Sequence, residues 1–211
     1  MHRYTKLLLT SLAATAILAL AISSASANRL SATGGRLWRV TWTSLRFTSN
    51  FSSATILCPV TLEGSFHSAT ILKTAGSLIG FVTRASVRSP CTGGRASVNQ
   101  GSLPWHIRYR SFTGTLPRLS GATFGLVGAE FEIEPNNGQT CRVRTEAGRP
   151  AVGTINIEAG GVATGLTPDP NTRIGLREGS FGCGIASGFF EATSQTPTEL
   201  GTGARITITL I

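Results

Sequence analysis

The 211-residue sequence predicts an all-β fold, mostly antiparallel, built as a β-sandwich or barrel with room for one short helix near residues 68–78. Three observations point there. The chain is rich in Gly, Thr and Ser and poor in Lys, Glu, Met and Gln, which favour helices. Apolar residues alternate with polar ones in short runs, the pattern of half-buried strands. Gly, Pro and Asn punctuate those runs, giving about ten strand-turn units, as in sandwiches and barrels.

The first 27 residues stand outside that fold. Arg3 and Lys6 make a short basic start, Leu7 to Ile22 is uncharged, and Ala25-Ser26-Ala27 is a small-residue cleavage pattern. The expectation is a signal peptide over 1–27. One secreted β domain follows over 28–211, with 134–139 as the place where it would divide into two parts.

The elements follow in order. Trp38, Val40 and Trp42 share a face, and Leu45 and Phe47 continue it after a phase shift, which predicts a bulge near Thr43 and Ser44. Ile56, Cys58, Val60 and Leu62 form the next stripe. Pro59 cannot donate to a ladder, so this strand is expected at an edge or irregular there. Ile71 to Ser86 fits both periods, but Gly76 and Gly80 weaken a helix by nearly 1 kcal/mol each. A strand from Leu78 to Val87 is favoured, after a short helical turn. Trp105, Ile107 and Tyr109 alternate with His106, Arg108 and Arg110. Thr123 to Ile133 reads as one strand with a bulge at Gly128, and Glu134 to Gly138 is the strongest turn signal, a hairpin loop or a join between halves. Further strands are expected over Thr140–Thr145, Ala151–Ile157, Arg173–Leu176, Ser187–Ala192 and Arg205–Leu210.

The cysteines Cys58, Cys91, Cys141 and Cys183 are even in number and widely spaced, without C-x-x-C, which argues for structural disulfides in an oxidising compartment. Of the three pairings, Cys58–Cys91 and Cys141–Cys183 are preferred because each closes a loop within one half of the chain. No second apolar stretch reaches the roughly 18 residues that span a bilayer as a helix. An outer-membrane barrel fits poorly, since aromatics are sparse and lie mostly before Phe131. The expected location is therefore secreted, extracellular or in the cell envelope.

Removing Arg3 and Lys6 leaves 17 basic residues against 10 acidic, a net charge of about +7 where the whole chain carries +9. All the remaining basic residues but Lys73 are Arg. Such a balance suits anionic partners such as a wall polymer, a glycan or a lipid surface. Nucleic acid is not expected, because Trp105 and Tyr109 fall on the face opposite the charge. His106, Arg108 and Arg110 stand in one row and Arg142 and Arg144 in another. If their strands paired side by side, they would form a patch able to grip carboxylates or phosphates with Arg forks.

Candidates for catalysis are weaker. Glu63, Ser65 and His67 would share a strand face and have the group types of nucleophilic catalysis. Neighbours at i and i+2 are about 7 Å apart, however, too far for a direct Ser–His hydrogen bond. Glu130, Glu132 and Glu134 offer paired carboxylates but read more simply as an outer strand face. Gly121 to Gly125 has the glycines of a nucleophile elbow but Thr in place of Ser. No zincin, EF-hand or phosphate-loop motif occurs. With Asp169 the single Asp after the leader, neither a metal nor a cofactor is expected.

The stretches from Cys58 to Ser68, from Leu78 to Ala85 and L-P-W-H-I-R-Y-x-S-F-T-G-T-L-P from Leu103 to Pro117 carry a resemblance. With the leader and four cysteines, the chain resembles a group of secreted bacterial proteins known only as uncharacterised. That resemblance implies a bacterial, exported, disulfide-containing protein and no activity. The reading from sequence is a non-catalytic binding module for an anionic or glycan envelope component, with His106, Arg108, Arg110, Arg142 and Arg144 as contacts. A hydrolase using Glu63, Ser65 and His67, or a structural envelope or matrix protein, are the alternatives.

Overall fold

A computed structural model describes residues 29–34, 36–49, 55–115, 118–136, 140–172, 174–179 and 187–211. The expected signal peptide, Arg173 and Cys183 lie outside the described residues. Sixteen strands account for the described chain, with one short 3-10 turn at Gln100–Ser102. They are β1 (Arg29–Thr33), β2 (Leu37–Ser49), β3 (Thr55–Phe66), β4 (Thr70–Leu72), β5 (Leu78–Val87), β6 (Gly94–Val98), β7 (Trp105–Thr113) and β8 (Gly121–Val127). The second half contributes β9 (Glu130–Pro135), β10 (Cys141–Arg144), β11 (Ala151–Ile157), β12 (Ala163–Pro168), β13 (Ile174–Gly179), β14 (Ser187–Ala192), β15 (Thr198–Glu199) and β16 (Thr207–Leu210). The fold is all-β and its strand pairing antiparallel.

One large sheet runs in the order β12-β11-β8-β7-β5-β3-β2-β14-β13-β10-β9-β6, with β15 pairing β2 off that path. The first seven strands curl into a nearly closed barrel. Its seam is the segment from Gln195 to Glu199, in which Gln195 bridges Leu166 of β12 while Thr198 and Glu199 pair with Arg39 and Trp38 of β2. Beyond β2 the sheet continues through β14 and bends back so that β6 packs against β3 and β5. A separate sheet, β16-β1-β4, adds Leu30, Ile71 and Ile208 to the same core.

The bulge expected at Thr43 and Ser44 is present: Trp42 pairs with Val60 and Leu45 with Cys58, so the register shifts between them. Pro59 falls opposite that shift. β3 is central rather than at an edge, and the irregularity is local. The Pro59 carbonyl accepts from Arg88 N–H just after β5 ends, so the missing proline donor faces a place where no ladder runs.

Two expectations are corrected. Residues 68–78 hold no helix: Thr70–Leu72 is a strand paired to β1, and a turn with Ser77 N–H on Thr74 O follows, with Gly76 at φ +83°. Thr123 to Ile133 is two strands, because Gly128 (φ +88°) is a turn rather than a bulge, and it sends β9 into the second part of the sheet. Of the two alternatives at the Glu134 turn signal, the hairpin holds: β9 runs to Pro135 and pairs antiparallel with β10, Cys141 opposite Ile133.

Inward-facing side chains form one continuous core in which Trp105, Phe47, Val60, Val82 and Ile206 are almost wholly buried. The charged residues of β2, β3, β5 and β7 lie on the other face, the reverse of a lipid-embedded barrel, which is apolar outside. Cys58 of β3 is bonded to Cys91 before β6, and Cys141 is also disulfide-bonded. Removing the first bond by Cys58→Ala with Cys91→Ala releases a loop spanning 33 residues. A loss of about 3–4 kcal/mol is expected from loop entropy, read as a fall in Tm of roughly 10 °C in thermal unfolding.

Candidate functional site

The outer wall formed by β2, β3, β5 and β7 holds most of the residues singled out from the sequence. Glu63 points outward from β3 but is covered by two cations. Arg39 Nε donates to Glu63 Oε1 at 2.7 Å, and Arg39 Nη2 lies 2.6 Å from the same oxygen. Arg84 Nη1 stands 3.2 Å from Oε2 as an ion pair without hydrogen-bond geometry. The Glu63 side chain is only 9% exposed, against 50% for Arg39 and 79% for Arg84. That carboxylate is therefore committed to its arginines.

Ser65 lies between Leu37 and Phe81 in the cross-strand register, and His67 follows the end of β3. Among the described residues, no hydrogen bond links Ser65 with His67, so the structure does not assemble Glu63, Ser65 and His67 into a relay. Instead His67 and His106 flank the Phe81 ring edge-on, at 6.4 and 5.5 Å between centroids. This forms a short aromatic row on the outside of the barrel.

The two arginine rows are not brought together. β7 lies between β5 and β8, whereas β10 lies between β9 and β13. On β10, Arg142 and Arg144 pair in register with Glu132 and Glu130. Arg142 Nε is 3.4 Å from Glu130 Oε1, Arg144 Nη1 is 3.8 Å from Glu130 Oε2, and Asn99 Nδ2 donates to Glu130 at 2.7 Å. Arg95 closes the same face on Glu134 at 3.0 Å. The outer strand face expected at Glu130, Glu132 and Glu134 is thus a neutral ladder of three carboxylates and three arginines.

On β7, His106 and Arg110 are exposed and Arg108 is half-buried. Arg108 Nη1 donates to Gly76 O at 3.1 Å, tying β7 to the turn before β5. Arg110 sits at the register shift between Tyr109 and Ser111. On the inner side of the same strand, burial pushes the Tyr109 phenol above its ordinary pKa.

A second feature lies inside the barrel. A cavity of about 130 Å³ runs among Trp38, Trp42, Leu62, Phe124, Leu166 and Phe190, with further apolar, glycine and proline residues. The only polar side-chain atoms in its lining residues are the indole nitrogens of Trp38 and Trp42. Both are buried without a hydrogen-bond partner. The third indole, Trp105, donates to Ser102 Oγ at 2.8 Å.

The sequence reading placed Trp38 and Trp42 in the core but had no signal for the space beside them. It also passed over Arg39 and Arg84, although Arg39 alternates with Trp38 and Val40 and so had to face outward. Among the described residues, no cluster of His, Cys, Asp and Glu is arranged to hold a metal, and no helix is long and apolar enough to cross a membrane. Compared with protein-family models, curated proteins and solved structures, the chain finds no match in any of the three.

The Glu63 cluster makes an asymmetric prediction. Glu63→Gln leaves two solvated arginines and is expected to change stability by about 1 kcal/mol or less. Arg39→Met with Arg84→Met leaves a covered carboxylate without a counter-charge and is expected to destabilise by about 2 kcal/mol or more. Urea unfolding of both variants checks the order, which reverses if the arginines rather than the carboxylate dominate.

Proposed function

We propose that this chain is an exported, non-catalytic binding module for an extended anionic polymer or glycan of the cell envelope, held on the outer wall of the barrel. The partition of charge between the two parts of the sheet carries the reading. On the barrel strands β2, β3, β5, β7, β8, β11 and β12, Arg46 is answered by Glu191 of β14 at 2.9 Å, which leaves Arg39, Arg84, Arg108 and Arg110 against the single carboxylate Glu63. The strands β6, β9 and β10 hold Arg95, Arg142 and Arg144 against Glu130, Glu132 and Glu134, an even balance. Positive charge left over from internal pairing therefore belongs to the barrel.

The geometry favours a long partner over a compact ion. Arg84 and Leu78, the register partner of Arg108, are six residues apart on β5, about 20 Å at strand rise. Arg39 and Arg84 stand at one end of this strip, Arg108 and Arg110 at the other, and the row of His67, Phe81 and His106 lies between. An extended chain of phosphates, sulfates or carboxylates spans such a strip, each charge meeting one guanidinium. Of the five contacts expected from sequence, His106, Arg108 and Arg110 remain in the proposal. Arg142 and Arg144 leave it because their charge is answered by Glu130 and Glu132. The Cys58–Cys91 bond supports an oxidising location.

Binding of poly(glycerol phosphate) and of a polyuronate, measured by calorimetry at two salt concentrations, tests the reading. Arg108→Gln with Arg110→Gln is expected to weaken binding about tenfold and to reduce its salt dependence. Arg95→Gln, on the neutral ladder, is expected to change it less than twofold. Equal effects of the two variants, or binding indifferent to salt, would sink the proposal.

A further inference from the structure

We infer that the cleft between β4 and the start of β5 is a binding site for a small aliphatic carboxylate. The site is separate from the polymer strip, with which it shares only His67. β3 and β5 stay paired up to Phe66 and Gly80, and His67 N–H bonds to Ile79 O at 2.8 Å just beyond. The chain then leaves β5 and pairs with β1 as β4. At the far end the Ser77 hydroxyl donates to Leu72 O at 3.2 Å. Between these two bonds lies a cleft of about 270 Å³, open to solvent.

One side of the cleft is aliphatic. Ile71 and Ile79, 1% and 3% exposed, form its floor. Leu72 and Leu78 stand on its rim at 49% and 39% exposed, two of the four large apolar side chains that are exposed among the described residues. The other side consists of donors. Arg29 and His67 line it, both are exposed, and among the described residues neither has an ion-pair partner. Ser68 Oγ accepts from Thr70 N–H at 3.1 Å, which leaves its own proton to give. The backbone adds one more donor. Ala32 N–H bonds to Ala69 O at 2.8 Å, and bonded rungs alternate in an antiparallel ladder, so Thr70 and Leu72 turn their backbone groups away from β1. β4 is the last strand of its sheet, so the Leu72 N–H lies on an open edge. No carboxylate lines the cleft.

That division selects the occupant. A guanidinium fork matches a carboxylate in plane and charge, while the floor and rim reward an apolar body. Free phosphate brings no apolar body, an alkylammonium is repelled by Arg29, and a hydrocarbon gains nothing from the donors. Arg29 is held firmly in place, since it exchanges backbone bonds with Ile211 at 3.2 and 2.9 Å and faces Leu72 across β1 and β4. Cation and aliphatic rim are therefore cross-strand neighbours. An enclosed cavity of about 150 Å³ takes up benzene, so this open cleft suits an acid of about eight heavy atoms, such as hexanoate.

Backbone ¹H–¹⁵N spectra of the oxidised protein are followed during titration with hexanoate, acetate, inorganic phosphate and n-hexylammonium. Hexanoate is expected to shift the His67, Leu72 and Leu78 signals to saturation. Acetate is expected to bind about tenfold more weakly for want of an apolar body, and phosphate and hexylammonium not to saturate these signals. Arg29→Gln should weaken hexanoate about tenfold through loss of the charge-assisted bonds. Leu78→Ser should weaken hexanoate about fivefold and leave acetate unchanged. Both positions are exposed, and unchanged signals elsewhere show that the variants fold. The assignment is overturned if hexanoate does not saturate, if acetate or phosphate binds as tightly, or if Arg29→Gln binds hexanoate like the parent. Arg108→Gln with Arg110→Gln should leave hexanoate binding unchanged, so this site and the polymer strip can fail separately.

Discussion

The rest of the fold depends on a single irregularity in β2. This strand is 13 residues long and pairs with β3 almost throughout, yet its other edge serves two partners. At Arg39 and Trp38 it closes the barrel seam with β15, and from Leu45 to Ser49 it opens the second part of the sheet with β14. Thr43 and Ser44 separate the two regimes. Without the shift there, the period of two that turns Trp38, Val40 and Trp42 inward would turn Leu45 and Phe47 outward. β3 keeps an unbroken phase from Ile56 to Leu62, and Pro59 lies where the two strands fall out of step. The bulge thus keeps one inner face while redirecting the strand.

Redirection brings distant aromatics together. Phe47 of β2, Phe131 of β9 and Phe190 of β14 pack edge to face at 5.3 to 5.4 Å, and Trp105 of β7 meets Phe131 at 5.3 Å. Such contacts contribute beyond their buried area. They also seat the second part of the sheet against the barrel, so that Phe131 and Phe190 become walls of its cavity. With that apolar junction on one side, β9 and β10 carry ion pairs on the other. Charge complementarity there follows from register alone: Arg142 faces Glu132 and Arg144 faces Glu130 because Cys141 faces Ile133.

Much of this was legible where large side chains alternate. The stripes from Trp38, Ile56, Trp105 and Ile206 each became a strand with the expected inner face, and the phase shift at Thr43 was visible as a change of parity. β6 and β12 were missed because Gly94 to Val98 and Ala163 to Pro168 carry small residues whose apolar period is faint. β4 is three residues long and exists only by pairing with β1. The candidate site was harder for a different reason. That Arg108 stands in a row was readable, but whether that row meets Arg142 or is answered by a carboxylate depends on which strands are neighbours, a property of the whole topology. Glu63 shows the same limit: its neighbours in sequence suggested a relay, while its neighbours in space are Arg39 and Arg84.

The cavity persists because of where side chains are withheld. Gly153 lies on β11 along its wall, opposite Phe124 of β8, and a Cβ there would meet Leu166 Cδ1 at 3.1 Å. On the far side, Trp38 is packed so closely over Gly64 that a Cβ there would collide with its ring carbons Cζ2 and Cε2. That contact sets the Cζ2–Cε2 edge of the indole, next to its nitrogen, against the backbone of β3. Strand interiors ordinarily disfavour glycine, which gives up backbone entropy and leaves nothing to pack. Gly64 beneath Trp38 and Gly153 beside Leu166 therefore withhold side chains from the interior of the barrel. The same backbone carries arginines outward on β2, β5 and β7, so the wall separates an apolar interior from a cationic exterior through one layer of strand.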